Sequence, residues 1–243
     1  NEETCIELKE CYDGYHFTHN VPGIYNPFSL LNTFSKLEFG NYWFETGTPT
    51  YLVELLKRNH YDLERMANEE TDADVLNSIY GDESPIPVIY QSGYLTIKDY
   101  DRRFGIYRLG FPNREVEEGF IKFLLPFYTR MNKVEAPFEI RKFVNEIETG
   151  QPDAFFQRLG SFFADTPYEL ARDLEVHYQN VLFIVFKLVG FYVQLEYHTS
   201  EGRVDLVLQT DKFIYVMEFK LDGTAEEALR QINEKHYANK LIQ

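Results

Sequence analysis

The sequence predicts an α/β chain: a mixed sheet flanked by helices over residues 165–243, preceded by a mainly helical region with a small β-hairpin. Three observations carry this. Residues 202–220, GRVDLVLQTDKFIYVMEFK, hold two runs rich in β-branched and aromatic residues around the polar hinge Thr210-Asp211-Lys212, a hairpin pattern. Thr166-Pro167-Tyr168-Glu169 and Thr224-Ala225-Glu226-Glu227 bracket that pattern with helix-start chemistry, in which Thr caps the helix and Glu three residues on completes the box. Upstream, Pro-initiated apolar stretches recur, as in PFSLLNTFSKL.

The elements follow in order. Residues 1–26 have few regular periods and read as the end of something preceding them. Asn26-Pro27 opens a helix, with Asn as cap and Pro at the first helical position. Gly47-Thr48-Pro49 repeats the device before TYLVELLKRN, where Leu52, Leu55 and Leu56 give an apolar side. The acidic stretch Asn68 to Asp74 reads as a solvated helix face or loop. PVIYQSGYLTIKDYD and FGIYRLG, within residues 86–110, read as two strands around the turn Asp99 to Arg103. Helical patterns follow over about 115–128, 137–148 and 152–163. From Pro167 a helix runs to about Val189, with Gly190 expected to close it in the left-handed region. FYVQLEY is a third strand, and a last helix covers about 225–236. The organisation is three parts: 1–80 helical, 81–164 hairpin plus helical connector, and 165–243 the sheet-bearing domain.

Bulk properties limit the function classes. At 243 residues, 44% hydrophobic and 26% charged, the chain is globular. A net charge of −15 argues against a general nucleic-acid-binding surface, because neutralising phosphates takes Lys and Arg. A local basic patch or a partner remains compatible with it. The two cysteines, Cys5 and Cys11, match no zinc spacing and read as free thiols in a reducing compartment, hence cytoplasmic. The longest apolar run, Val181 to Gly190, contains Lys187 and is too short for a bilayer, so no membrane partner is expected. The first residue is Asn, and the chain is expected to begin inside a longer protein. No GxxxxGK[ST] phosphate loop occurs.

The chemistry-bearing constellation is Asp205 on one strand and Glu218-Phe219-Lys220 at the end of the next. Strand side chains alternate, so Glu218 and Lys220 share a face. Two carboxylates and a lysine converging at the end of a buried hairpin need a partner, because unpaired burial costs several kcal/mol, as an order of magnitude. A divalent metal or a reacting phosphate supplies one. The plain alternatives are a turn or edge role for Asp205 and a surface ion pair for Glu218 and Lys220.

These residues resemble the D…ExK signature of the PD-(D/E)XK nuclease superfamily, and the helix–strand–strand–strand–helix order resembles the start of its restriction-endonuclease-like core. GRVDLV and YVMEFKLDGTAEEALRQI look like the nuclease-like domain of bacterial proteins with an N-terminal AAA-type ATPase-like region. YNPFSLLNTF, YWFETGTPTYL, SGYLTIKDYD and YRLGFPNREV look like the segment joining the two, with residues 1–80 resembling the ATPase-like lid. The resemblance implies a fragment lacking the ATPase core. It implies Asp205, Glu218 and the Phe219 carbonyl as ligands of Mg²⁺ or Mn²⁺, with Lys220 orienting or activating the attacking water. It implies a helix glutamate, for which Glu175 is the best match ahead of Glu169 and Glu196. Gln231 and Arg203 are possible substrate contacts, although Arg203 pairs equally well with Asp205 or Glu201. A further strand normally follows, so the sheet is expected to be incomplete at Gln243. The leading expectation is metal-dependent hydrolysis of nucleic-acid phosphodiester bonds, DNA first, coupled to the ATPase-like domain. The alternatives are a non-catalytic nuclease-fold module and an enzyme acting on another phosphate ester.

Overall fold

The computed structural model describes residues 2–46, 50–78, 84–129, 131–132, 134–164, 174–200, 203–220 and 224–234. Side chains at 45–46, 164, 174, 197–200, 203–205, 220, 225 and 231–234 are outside that description. The chain divides into two compact units, residues 1–124 and 125–243.

The first unit begins with α1 (Glu2–Tyr12), a helix where the sequence suggested no regular structure. Its apolar periodicity is weak, and it buries only Tyr12, so no stripe advertises it. Helix α2 (Pro27–Lys36) starts as expected: Asn26 Oδ1 accepts from the backbone N–H of Phe28 at 3.1 Å and Ser29 at 3.4 Å. Helix α3 (Thr50–Arg58) buries Leu52, Leu55 and Leu56; the expected Thr48-Pro49 start lies outside the described residues.

Two further expectations in this unit are corrected. The acidic stretch at 68–74 is not a solvated loop: Glu69–Asp72 form strand β1, which alternates buried and exposed. Glu69 is only 2% exposed. Its carboxylate accepts from Tyr61 Oη at 2.5 Å and from Arg65 Nη2 at 2.6 Å, which offsets the cost of burying it. Burial and this carboxylate together push the Tyr61 phenol far above its usual pKa. After the short helix α4 (Ala73–Leu76), the run IPVIYQ is not a strand but helix α5 (Ile86–Gln91). Pro87 sits in its first turn, where a missing N–H costs nothing. The hairpin is therefore shorter than expected, with β2 (Thr96–Asp101) and β3 (Ile106–Gly110). The sheet order is β1-β3-β2, antiparallel throughout, with an irregularity between Ile97 and Asp99.

Helix α6 (Arg114–Thr129) spans the division between the units. In the second unit, α7 (Ala136–Glu148) and α8 (Pro152–Ala164) pack together. Arg158 on α8 clamps them, donating to Glu146 at 2.5–3.2 Å and to Glu139 at 2.5 Å. Glu146 is buried, so removing its partner leaves a carboxylate stranded. Arg158→Ala is expected to cost about 1.5–3 kcal/mol in urea unfolding. A change below about 0.5 kcal/mol would mean that the clamp is a surface contact only.

Helix α9 (Leu174–Gly190) is apolar on most sides, and Val181 to Phe186 are all buried. Its expected start at Thr166–Glu169 lies outside the described residues. Gly190 does not close it in the left-handed region, being absent from the residues of positive φ. The glycine answers a close approach instead: a Cβ there would sit 2.9 Å from Leu195 Cδ2.

Strands β4 (Gln194–Ser200), β5 (Arg203–Gln209) and β6 (Ile214–Lys220) form an antiparallel sheet in that order. Thr210 closes the β5–β6 turn, its N–H donating to the Phe213 carbonyl at 2.8 Å. One face of the sheet carries Leu206, Leu208 and Met217, all buried, and Tyr215, which donates to the Ile147 carbonyl on α7 at 2.7 Å. Helix α10 (Ala225–Glu234) then runs beside β6. Its capping box forms as expected, with Glu227 N–H to Thr224 Oγ1 at 3.2 Å and Thr224 N–H to Glu227 Oε2 at 3.0 Å.

Candidate nuclease site

Hairpin register builds the site. The turn at Thr210 sets Gln209 opposite Ile214, and the pairing continues without irregularity, so Asp205 falls directly opposite Glu218 and Arg203 directly opposite Lys220. Directly opposite residues of antiparallel strands share a face. Asp205 and Glu218 therefore form one row, and Arg203 and Lys220 the next row on the same face. Across β4 the first row continues to His198 and the second to Ser200.

Phe219 anchors the other side of β6. Its ring lies 5.5 Å from that of Phe186 on α9 and 6.2 Å from that of Phe156 on α8. The helical core thus holds the back of the strand, and Glu218 and Lys220 alternate to the opposite face. Glu218 is half-buried, and both of its carboxylate oxygens are closed off from solvent.

Like charges directly opposite one another in a sheet are destabilising. Two carboxylates in register can be bridged by a cation that takes oxygen ligands. Among the described residues, no group of three or more His, Cys, Asp or Glu side chains is arranged to hold a metal.

Glu175 lies in the exposed first turn of α9, where its Oε1 accepts from Gln179 Nε2 at 3.5 Å. Glu196 is exposed on β4, and Glu169 lies outside the described residues. Gln231 is on α10. His177 stacks on Tyr128 with ring centroids 6.1 Å apart, a packing role. Cys5 and Cys11 are free thiols, and burial pushes the Cys11 thiol up to about 11. Among the described residues, no helix is long and apolar enough to cross a membrane.

The sequence reading missed a cavity of about 580 Å³ in the first unit, lined in part by Tyr61, Arg65, Glu69 and Asp72. It depends on the burial of β1, which composition disguised.

Comparison with known proteins bears on residues 173–243, which match the family model of the PD-(D/E)XK nuclease superfamily. This stretch is a PD-(D/E)XK-like nuclease domain. Its matched span contains β4, β5, β6, α10 and the Asp205–Glu218 row. The whole chain is also similar to an "Uncharacterized protein in vnfD 5'region" of Azotobacter chroococcum mcd 1, at 34% identity over 249 residues. That match covers 96% of this chain and 47% of the relative, so the chain spans about half the relative's length. No solved structure matches.

Proposed function

We propose that the nuclease-like domain hydrolyses phosphodiester bonds of nucleic acid, DNA in the first place, with Mg²⁺ or Mn²⁺ bound at Asp205 and Glu218. One observation carries the reading: the direct register pairing of Asp205 with Glu218, within a span that matches a nuclease superfamily. The backbone carbonyl of Phe219 is a further ligand in this reading. The bound metal supplies an acidified water and stabilises charge developing on the phosphate. Lys220 faces the same side as Glu218 and offers a positive charge to the phosphate or to the attacking water. Arg203, directly opposite Lys220, gives a second cation for the substrate backbone. Glu175 and Gln231 are assigned supporting roles, a helix carboxylate and a contact to the nucleic acid.

The net charge of −15 is offset here only locally, by the Arg203–Lys220 row. Wider affinity for nucleic acid then comes from a partner or from another part of the polypeptide. An ATPase-like domain of the full-length protein is the proposed partner, consistent with a relative about twice as long. The acidic balance also favours a second reading, a non-catalytic module that keeps the nuclease fold and binds another protein.

The deciding experiment incubates the natural full-length protein with mixed single- and double-stranded DNA and RNA. Cleavage is expected in Mg²⁺ or Mn²⁺, loss of it in EDTA, and a roughly 10²-fold slower rate for Lys220→Ala. Equal rates for wild type and Lys220→Ala would place the activity elsewhere. Metal binding without cleavage in either protein would favour the non-catalytic module.

A further inference from the structure

We propose that helix α2 presents a docking face for the part of the natural polypeptide that lies beyond residues 1–243. The helix is built inside out. Its side toward the protein carries Ser29 and Thr33, both buried. Ser29 Oγ donates to Glu115 Oε1 at 2.8 Å, and Thr33 Oγ1 donates to the Ser29 carbonyl at 3.1 Å. At about 100° per residue, Leu31 falls on the side directly opposite that pair, with Phe28 and Phe34 flanking it. With Ile24 before the helix and Leu37 at its end, these side chains belong to residues that are 45–89% exposed. A surface helix ordinarily turns its apolar stripe inward and its polar residues outward. Here hydroxyls face in, and five large apolar residues meet water.

Size separates this patch from scattered surface residues. Five large side chains exposed to this degree present on the order of 500 Å² of apolar surface, near the top of the range of about 300–600 Å² for the largest patch of a monomer. Length and charge identify the occupant. A relative matched by 96% of this chain is itself covered only to 47%, so it carries as much polypeptide again outside the match. A covalently attached partner is held at an effective concentration near ~1 mM, so the polypeptide's own remainder reaches the face ahead of any free protein. Charge disfavours a second copy. Helix α1, which packs against α2, carries Glu2, Glu3, Glu7 and Glu10 against Lys9, and two copies meeting here would bring like charges together. The complementary surface is therefore apolar with a basic rim. Neither the metal site nor the activity of the additional polypeptide enters this assignment.

The test uses the natural full-length protein carrying Leu31→Cys. Maleimide labelling is read peptide by peptide by mass spectrometry, in the native state and in urea. Native labelling at position 31 is expected to be slower than in urea by roughly 10²-fold or more, as for a site that reacts only on local opening, and at every protein concentration. Should Leu31→Cys lower the thermal midpoint, Ser35→Cys, exposed on the same side of α2, takes its place. A photocrosslinking p-benzoylphenylalanine in place of Leu31 is expected to join to a peptide outside residues 1–243 of the same molecule. Equal labelling in the native state and in urea would mean an open face and would overturn the proposal. Protection that appears only as concentration rises, with crosslinks between two copies of residues 1–243, would assign the face to a second copy and overturn it as well. So would a natural polypeptide no longer than these 243 residues. No arm uses a divalent metal, so each outcome leaves the nuclease reading where it stood.

Discussion

Replacing Glu218 with Gln is expected to abolish metal-dependent cleavage and to uncouple the protein's stability from Mg²⁺. The amide keeps the shape of the carboxylate but removes its charge. Its oxygens are shielded from solvent on β6, in register with Asp205, where the proposed metal would bind. Losing the metal forfeits several kcal/mol of transition-state stabilisation, hence roughly 10³-fold or more in rate. A second readout needs no activity. A ligand that binds only the folded state stabilises it by about 2.7 kcal/mol at 100 times its dissociation constant. The wild-type thermal midpoint should therefore rise with Mg²⁺, and that of Glu218→Gln should not. Lys220→Ala differs in kind: its midpoint should still respond to Mg²⁺ while its rate falls. An equal Mg²⁺ response in wild type and Glu218→Gln would remove Glu218 from the metal site.

Much of the hairpin that carries these residues was legible because hairpins are local. The alternation in IYVMEFK put Glu218 and Lys220 on one face, and the Thr210 turn then fixed Asp205 opposite Glu218. Caps were legible for the same reason. Asn26 before Pro27 and Thr224 before Glu227 act within three residues, and both form their hydrogen bonds. The failures are non-local. Strand β1 is too acidic to read as buried, and only Tyr61, Arg65 and its pairing with β3 make Glu69 an interior residue. The apolar run at Ile86–Gln91 was short enough to fit either period, and its prolines decided for a helix. Helix-end statistics favour a left-handed Gly190, whereas the glycine answers a side chain five residues on, Leu195.

Phe186→Ala is expected to be among the most damaging substitutions outside the site, and to damage the site through its back wall. Phe186 is fully buried on α9, its ring 6.0 Å from that of Phe155 and 5.5 Å from that of Phe219. Deleting a buried phenyl costs the lost transfer free energy plus the cavity left behind, about 3–5 kcal/mol. With urea slopes of about 1–3 kcal/mol per molar, the unfolding midpoint of the second unit should fall by more than about 1 M. Phe186→Leu keeps most of the volume and should cost less than half as much. The functional consequence follows from strand alternation. Phe219 leans on Phe186, and the residues either side of it, Glu218 and Lys220, occupy the opposite face of β6. Loosening Phe219 lets the strand end shift, and a displacement of about 1 Å at reacting groups is enough for roughly a 10²-fold loss of rate. Phe186→Leu should therefore lose more activity than its stability loss explains at temperatures where it remains folded. A variant with full activity and a wild-type midpoint would mean that Phe219 is held by Phe156 alone.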